Sequence, residues 1–471
     1  MKYLIFILAL SSLAQSKLEK SKKAHDDFLN LHFFENGRGM TISPNISKYL
    51  SFFRVPDSNG LTIPENKKSL YKRILQDRYG LNVLEDQVAG LFNIRYKGMD
   101  VGVLGCVACH GGKAAGRFYS GLGNKTIDVY KVGVDAKIIQ GAWGALRKDP
   151  EFKKIHKVAM NFSKVISDKS ISNLTRGLIP DSVIKTYFYK DAGLSYKGKI
   201  SRAQVKVPHL WGLKEKRKTG IFWGAEFDGT NIGWEFGAEL FASDSEEHLR
   251  AVLPKLKRSV ENIVYNLESP KYPFHIKEDL AKIGKVLFDN KCSKCHGVHQ
   301  RGLDGYPLYH QPKFIKSSIV KTDTDRLKGF FEYKALVESS SISDILPMNQ
   351  RTDVGYVAPN LWGIWARFPY LHNGSVPSLY DLLKEPSKRP KFFNMFDAGE
   401  EYRFDKNKVG LTREKENSRK FTRNLRKAKQ GNRNIYFVER EGHSNIGHYY
   451  NFMRSYSEQD ILSIVEYLKT L

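Results

Sequence analysis

The 471-residue chain is short of cysteine, with four, and short of acid, with 50 Asp and Glu against 76 Lys and Arg, a formal net charge of +26. Four cysteines are too few for a disulfide-dense scaffold. Glycine (38) and proline (17) are too scarce for a fibrous or low-complexity protein. Beyond the first residues no run approaches the ~18 apolar residues of a membrane span, which excludes a polytopic membrane protein. What is present fits a globular chain. Hydrophobic residues make up 41% and aromatic residues 12%, enough to fill real cores. The length allows about two or three domains.

The chain opens with Met1-Lys2, an apolar run from Tyr3 to Leu10, and small residues at Ser12, Ala14 and Ser16. A positive start, an apolar middle and a small-residue cleavage site make a secretory signal peptide, residues 1–16, rather than a buried strand or helix. No Cys follows the apolar run, which argues against a lipoprotein anchor. The mature chain from Lys17 is expected to be exported and soluble, periplasmic or secreted.

Export normally makes paired cysteines read as disulfides. The spacing points elsewhere. Cys106-Val107-Ala108-Cys109-His110 and Cys292-Ser293-Lys294-Cys295-His296 are both C-x-x-C-H, and together they use every cysteine. This is the attachment pattern of c-type haem. Two thiols three positions apart lie on one face of a helical turn and reach the two vinyl groups of one haem. The following histidine then lies under the macrocycle and binds its iron. A C-x-x-C redox site needs no trailing His, and a four-cysteine zinc site usually lacks one. The reading is two covalent haem c groups, with Cys106, Cys109, Cys292 and Cys295 as attachment points and His110 and His296 as proximal ligands.

The separation of the two motifs gives each haem room for a domain. The expected fold is mainly α: two cytochrome c-like haem domains with long loops and a few short strands. Residues 17–85 form an N-terminal extension, 86–270 the first haem domain and 271–471 the second. Pro273 breaks the chain between them. Leu280, Ile283, Gly284 and Leu287 fall on one helical face, with Gly284 admitting a close neighbour. Ser457 to Asp460 reads as a helix cap before Ile461, Ile464, Val465 and Leu468. Two such helices crossing beside a haem are the mono-haem cytochrome c arrangement. A basic insertion at 403–440 carries eleven Lys and Arg between 406 and 433 against Glu414 and Glu416. Its plainest reading is a solvated, partly disordered loop. An acidic redox partner, an anionic envelope surface and, least of all, nucleic acid are the alternatives.

A haem that only carries electrons is usually held on both faces, and one that does chemistry keeps a face open. Distal candidates for the first iron are His156, His209 and Met99. For the second they are His372, His443, His448, Met348 and Met453.

Ala358-Pro359-Asn360-Leu361-Trp362-Gly363 and Phe368-Pro369-Tyr370-Leu371-His372-Asn373-Gly374-Ser375-Val376-Pro377-Ser378-Leu379-Tyr380-Asp381-Leu382-Leu383 resemble the di-haem cytochrome c peroxidase superfamily. The fuller string YLHNGSVPSLYDLL is closer to one branch, the di-haem rubber oxygenases and their relatives. Phe396-Asp397 to Leu411, Ser444-Asn445-Ile446-Gly447-His448 and the closing Glu466 to Leu471 also resemble that branch. The likeness covers roughly residues 90–471.

The resemblance implies a bis-His second haem used for electron transfer, with His448 as distal ligand. It implies a reactive first haem with an exchangeable or vacant distal side. Some peroxidases close that side with a His soon after the first motif, but no His follows Gly111 here until His156. The superfamily often places a Trp between the haems, for which Trp211 is the candidate. Phe222 and Phe227 are candidates for lining the distal face of the first haem. All three could equally be plain core. His372 could ligate, act as acid or base, or hydrogen-bond a haem propionate. The last fits its turn-like segment best, and Arg367 is a further propionate candidate. Calcium is a possible additional ion. The expected function is an exported di-haem oxidoreductase reacting with peroxide or dioxygen, with an organic or hydrophobic substrate open. The alternative is a non-enzymatic di-haem electron carrier.

Overall fold

The computed structural model describes residues 16, 19–31, 34–35, 38–39, 41–44, 72–85, 87–144, 150–180, 203–214, 246–301, 307–310, 313–339, 341, 343–344 and 353–471. The residues before Ser16, expected to form a signal peptide, lie outside them, as do Phe222, Phe227 and Met348. Helices dominate, and strands are short and paired in twos and threes.

The first half is built on a three-stranded antiparallel sheet. Strands β1 (Thr41–Pro44) and β2 (Leu91–Tyr96) flank β3 (Met99–Leu104). Lys97 and Gly98, at φ 45° and 77°, make the two-residue turn between β2 and β3. β3 runs straight into α1 (Cys106–His110), and the hairpin β4 (Gly111–Ala114) and β5 (Arg117–Ser120) follows. α2 (Val129–Gly144) and α3 (Pro150–Ile166) pack together. α3 lays Phe152 and Ile155 against Phe92, Met99, Val101 and Val103 of the sheet.

The second half follows α4 (Glu246–Asn262). α5 (Glu278–Leu287) leads through a wide turn to the short α6 (Ser293–His296). β6 (Phe314–Lys316) pairs with β7 (Gly355–Val357), and α7 (Leu379–Leu382) comes next. β8 (Phe392–Asn394), α8 (Arg419–Lys429), β9 (Ile435–Phe437) and α9 (Glu458–Lys469) complete the chain, with β8 pairing to β9.

α5 and α9 cross at backbone contact. A Cβ at Gly284 would lie 1.9 Å from the Ser463 carbonyl oxygen, so only glycine fits there. The buried face is small-residue, Ala281 and Gly284, continued by Phe288, while Ile283 is 51% exposed. The apolar periodicity therefore misassigned Ile283: at so close a crossing the small residues face the partner, and the large ones are turned out. α9 starts at the expected cap. Ser457 Oγ accepts from the Asp460 amide at 3.1 Å, and Asp460 Oδ2 accepts from the Ser457 amide at 2.8 Å. Glu466 ties the pair, accepting from the Lys277 amide at 3.0 Å and from buried Lys469 at 2.6 Å.

The basic stretch is ordered where a partly disordered loop was expected. Ser418 caps α8 by accepting from the Phe421 amide at 3.1 Å. Phe421, Leu425 and Ala428, spaced i, i+4, i+7, pack on Phe392, Ile435 and Phe437. Arg419, Lys420, Arg423, Arg426, Lys427 and Lys429 face solvent. A charge count alone hides this three-residue stripe. One continuous apolar core, from Phe28 through Trp211 and Trp365 to Leu468, joins the segments.

Candidate haem site

The first C-x-x-C-H is fixed by its backbone. The Cys106 amide donates to the Leu31 carbonyl at 3.2 Å. Buried Asn124 donates from its side chain to the Ala108 and Gly80 carbonyls, at 3.0 and 2.9 Å, while its amide donates to the Cys109 carbonyl at 2.7 Å. None of the four cysteines is paired in a disulfide. Burial pushes the Cys109 thiol up to about 11. Burial, with a smaller contribution from Cys295, pushes Cys292 up to about 12. Among the described residues no cluster of three or more His, Cys, Asp or Glu is placed to hold a metal ion, so the thiols are not gathered into one zinc-type site.

His110 and His296, the expected proximal histidines, are held alike. His110 Nδ1 lies 3.0 Å from the Pro208 carbonyl, and His296 Nδ1 lies 3.1 Å from the Pro359 carbonyl. A carbonyl only accepts, so each Nδ1 carries the proton and each Nε2 keeps its lone pair for iron. Burial holds His110 down to about 4 and lowers His296 as well, so both rings are neutral at physiological pH. This tautomer and orientation are what a metal-ligating imidazole needs.

The two prolines open the same pattern, P-x-L-W-G: Pro208-His209-Leu210-Trp211-Gly212 and Pro359-Asn360-Leu361-Trp362-Gly363. The repeat is visible in the text, but the long gap between its copies hides it. The two loops pack reciprocally. Gly212 and Gly363 both have positive φ, 72° and 61°. A Cβ on Gly212 would come 2.9 Å from Trp362 Cε3, and one on Gly363 would come 3.0 Å from Trp211 Cζ3. Asn360 Nδ2 donates to the Trp211 carbonyl at 3.4 Å. Trp211 is fully buried, and its Nε1 donates to the Ser120 carbonyl at 2.9 Å. It thus belongs to the loop that anchors His110 and packs on the loop that anchors His296.

His448 faces His296, with ring centroids 6.0 Å apart and planes at 57°. Two metal–imidazole bonds of about 2 Å each fit in such a gap. Burial, with smaller contributions from His296 and Arg389, holds His448 down to about 3, and its Nδ1 is buried without a partner. Its backbone is in the left-handed region, φ 48°, a strained position for a histidine. Two buried side chains hold that position. Arg389 donates to the carbonyls of Asn445, Gly447 and His448. Asn373 Nδ2 donates to the Gly442 and Ser444 carbonyls at 3.1 and 3.0 Å. Asn373 belongs to the YLHNGS string, whose work here is to brace the loop carrying His448.

Among the described residues, the rivals of His448 are otherwise engaged. His443 Nε2 lies 3.0 Å from Thr175 Oγ1, and its Nδ1 lies 2.9 Å from the Glu441 carbonyl. Met453 Sδ accepts from the Tyr450 amide at 3.4 Å. His372 is stacked on Tyr356 at 4.9 Å and is held down to about 3 by burial, then by Arg326 and Lys206. Its neutral ring suits a hydrogen-bonding role better than an acid one. Arg367 donates to Asn360 and to the Trp362 carbonyl. Around the first motif, Met99 sits in the separate sheet cluster and His156 stacks on Phe152 at 5.8 Å. His209 follows Pro208, so its loop lies behind the proximal His110, away from the distal face. The distal candidates Phe222 and Phe227 fall outside the described residues.

Residues 355–394, from β7 through Arg367 and YLHNGS to β8, match the family described as RoxA-like, cytochrome c-like. The chain is 37% identical over 348 residues to uncharacterized protein y4iJ of Sinorhizobium fredii (strain NBRC 101917 / NGR234), covering 57% of this chain and 55% of that protein. It is 31% identical over 156 residues to uncharacterized protein y4iM of the same organism, covering 28% and 34%. The chain thus spans about half and about a third of these relatives' lengths. Among the described residues no helix is long and apolar enough to cross a membrane. The chain carries a RoxA-like cytochrome c-like segment, which implies covalently bound haem c and the general character of a haem oxidoreductase.

Proposed function

We propose that this chain is an exported di-haem oxidoreductase in which the haem at Cys106 and Cys109 reacts with peroxide or dioxygen and the haem at Cys292 and Cys295 transfers electrons. The observation that carries the reading is the matched pair of proximal histidines, each fixed by Nδ1 to the proline of a P-x-L-W-G loop. When bound, the haems supply iron for reducing the oxidant and for storing electrons.

The two sites differ where function would differ. His448, braced by Arg389 and Asn373, is set opposite His296 and suits a closed electron-transfer centre. His156, His209 and Met99 are turned to other work and leave the first iron's distal side to the oxidant. Trp211, buried where the two anchoring loops pack together, excludes water and offers an aromatic path between the sites. His372 hydrogen-bonds a haem carboxylate through its neutral ring. The exposed basic face of α8 steers an acidic electron-exchange partner.

The test is an EPR spectrum of the oxidised protein with a hydrogen peroxide turnover assay. One high-spin and one low-spin ferric signal, with turnover, support the reading. Two low-spin haems indifferent to cyanide, without turnover, would make the protein an electron carrier.

A further inference from the structure

Lys125 and Lys206 come from the first half of the chain, yet both extend their ammonium groups to carbonyls of the second half. Lys125 Nζ donates to the Lys113 carbonyl at 2.8 Å and the Ala366 carbonyl at 2.9 Å, and lies 4.0 Å from the Phe368 ring centroid. Lys206 Nζ donates to the Arg367 carbonyl at 2.8 Å and the Pro369 carbonyl at 2.9 Å. Each ammonium has three N–H donors. The Phe368 ring takes the third from Lys125. No described protein oxygen takes the third from Lys206, whose nearest ring, Tyr370, is farther off at 5.8 Å.

Both lysines line a small cavity, about 20 Å³, shared with His209, Arg367, Met395 and Tyr436. No carboxylate among the described residues acts on either lysine. The surrounding charges are cationic: Lys206 acts on Lys125, and Arg367 acts on Lys206. Burying charges of one sign without a counter-ion is costly. In the empty cavity the Lys206 ammonium is accordingly held down to about 7, by burial first and then by Arg367. Cationic lining also makes this cavity a poor calcium site, since its carbonyls are already taken by ammonium groups.

We propose that the cavity binds a carboxylate, seated on the free N–H of Lys206 with Lys125 beside it. The carboxylate is supplied by a haem propionate, which rests on the haem reading above, or by a free small oxyanion. A propionate there would raise the midpoint potential of its haem through the two adjacent positive charges.

The test uses the mature holoprotein and its Lys206→Gln variant. Glutamine keeps N–H donors for the two carbonyls and removes the charge. Lys125→Gln is the second variant should the first not fold. Haem content, the two midpoint potentials and the thermal response to acetate and to inorganic phosphate are measured. With a propionate seated, the variant keeps its haems, one midpoint potential falls relative to wild type, and wild type ignores both added anions. With a free oxyanion, acetate or phosphate saturably raises the wild-type Tm, and the variant needs at least about tenfold more anion, a loss on the order of 1.4 kcal/mol. Potentials and anion responses identical in variant and wild type would overturn the proposal. A wild-type chain without haem would refute the haem reading alone, and the anion titration would still decide the cavity.

Discussion

The indole of Trp211 lies against Gly363, where a Cβ would come within 3.0 Å of Cζ3. The relation is mirrored by Trp362 against Gly212. Each tryptophan therefore fills the space left by the glycine of the other's loop, and each loop anchors one proximal histidine through its proline. Trp211→Phe should slow electron equilibration between the haems while leaving both absorption spectra intact. Flash-photolysis or stopped-flow reduction measures it, and unchanged transfer would remove Trp211 from the path.

His448→Ala should convert the second haem from low-spin to high-spin, read by EPR and the Soret band. Arg389→Ala should loosen the same ligand, because three loop carbonyls lose their donor at once. It should also cost about 1–3 kcal/mol of stability through buried unsatisfied carbonyls. An unchanged spectrum in His448→Ala would hand the ligand role elsewhere.

Gly284→Ala should destabilise the chain by about 1–3 kcal/mol or more, because its methyl would strike the Ser463 carbonyl at the α5–α9 crossing. Chemical denaturation measures this. A neutral result would mean that the two helices do not meet at backbone distance.

Buried His443 predicts an acid-sensitive stability. Burial holds it down to about 4, below its ordinary 6.5, so the folded chain binds fewer protons than the unfolded one. Its contribution is full above pH 6.5 and is lost as pH falls toward 4. One such group gives a limiting slope of about 1.4 kcal/mol per pH unit. His443→Asn should flatten the Tm profile between those pH values, and an unaltered profile would contradict the assignment.

Reversing Lys420, Arg423 and Lys427 to Glu should leave α8 folded, because its apolar stripe is untouched. Reduction by an acidic donor should then slow and lose its ionic-strength dependence. Equal rates at low salt would remove the basic face from partner recognition.

The local parts of this architecture were legible in the chain. The C-x-x-C-H motifs, the Ser457 cap and the Gly284 contact are set by residues a few positions apart or by glycine's lack of a side chain. His448 was legible only through resemblance. The supports were not legible. Asn124, Asn373 and Arg389 act on main-chain carbonyls, which carry no sequence identity, and Arg389 reaches them across more than fifty residues. Lys125 and Lys206 are two among 76 Lys and Arg, and no local pattern marks them for burial. The α8 stripe was masked by its own lysines and arginines. Ile283 was misplaced because large apolar residues weigh more in a periodicity than the small ones that make a tight crossing.

The central claim is that each C-x-x-C-H holds one haem by thioether bonds. A pyridine-haemochrome assay, paired with the intact mass of the denatured exported protein, measures this directly. The account predicts two haem c groups per chain, retained after denaturation. A bare polypeptide mass, or a single attached haem, would contradict it.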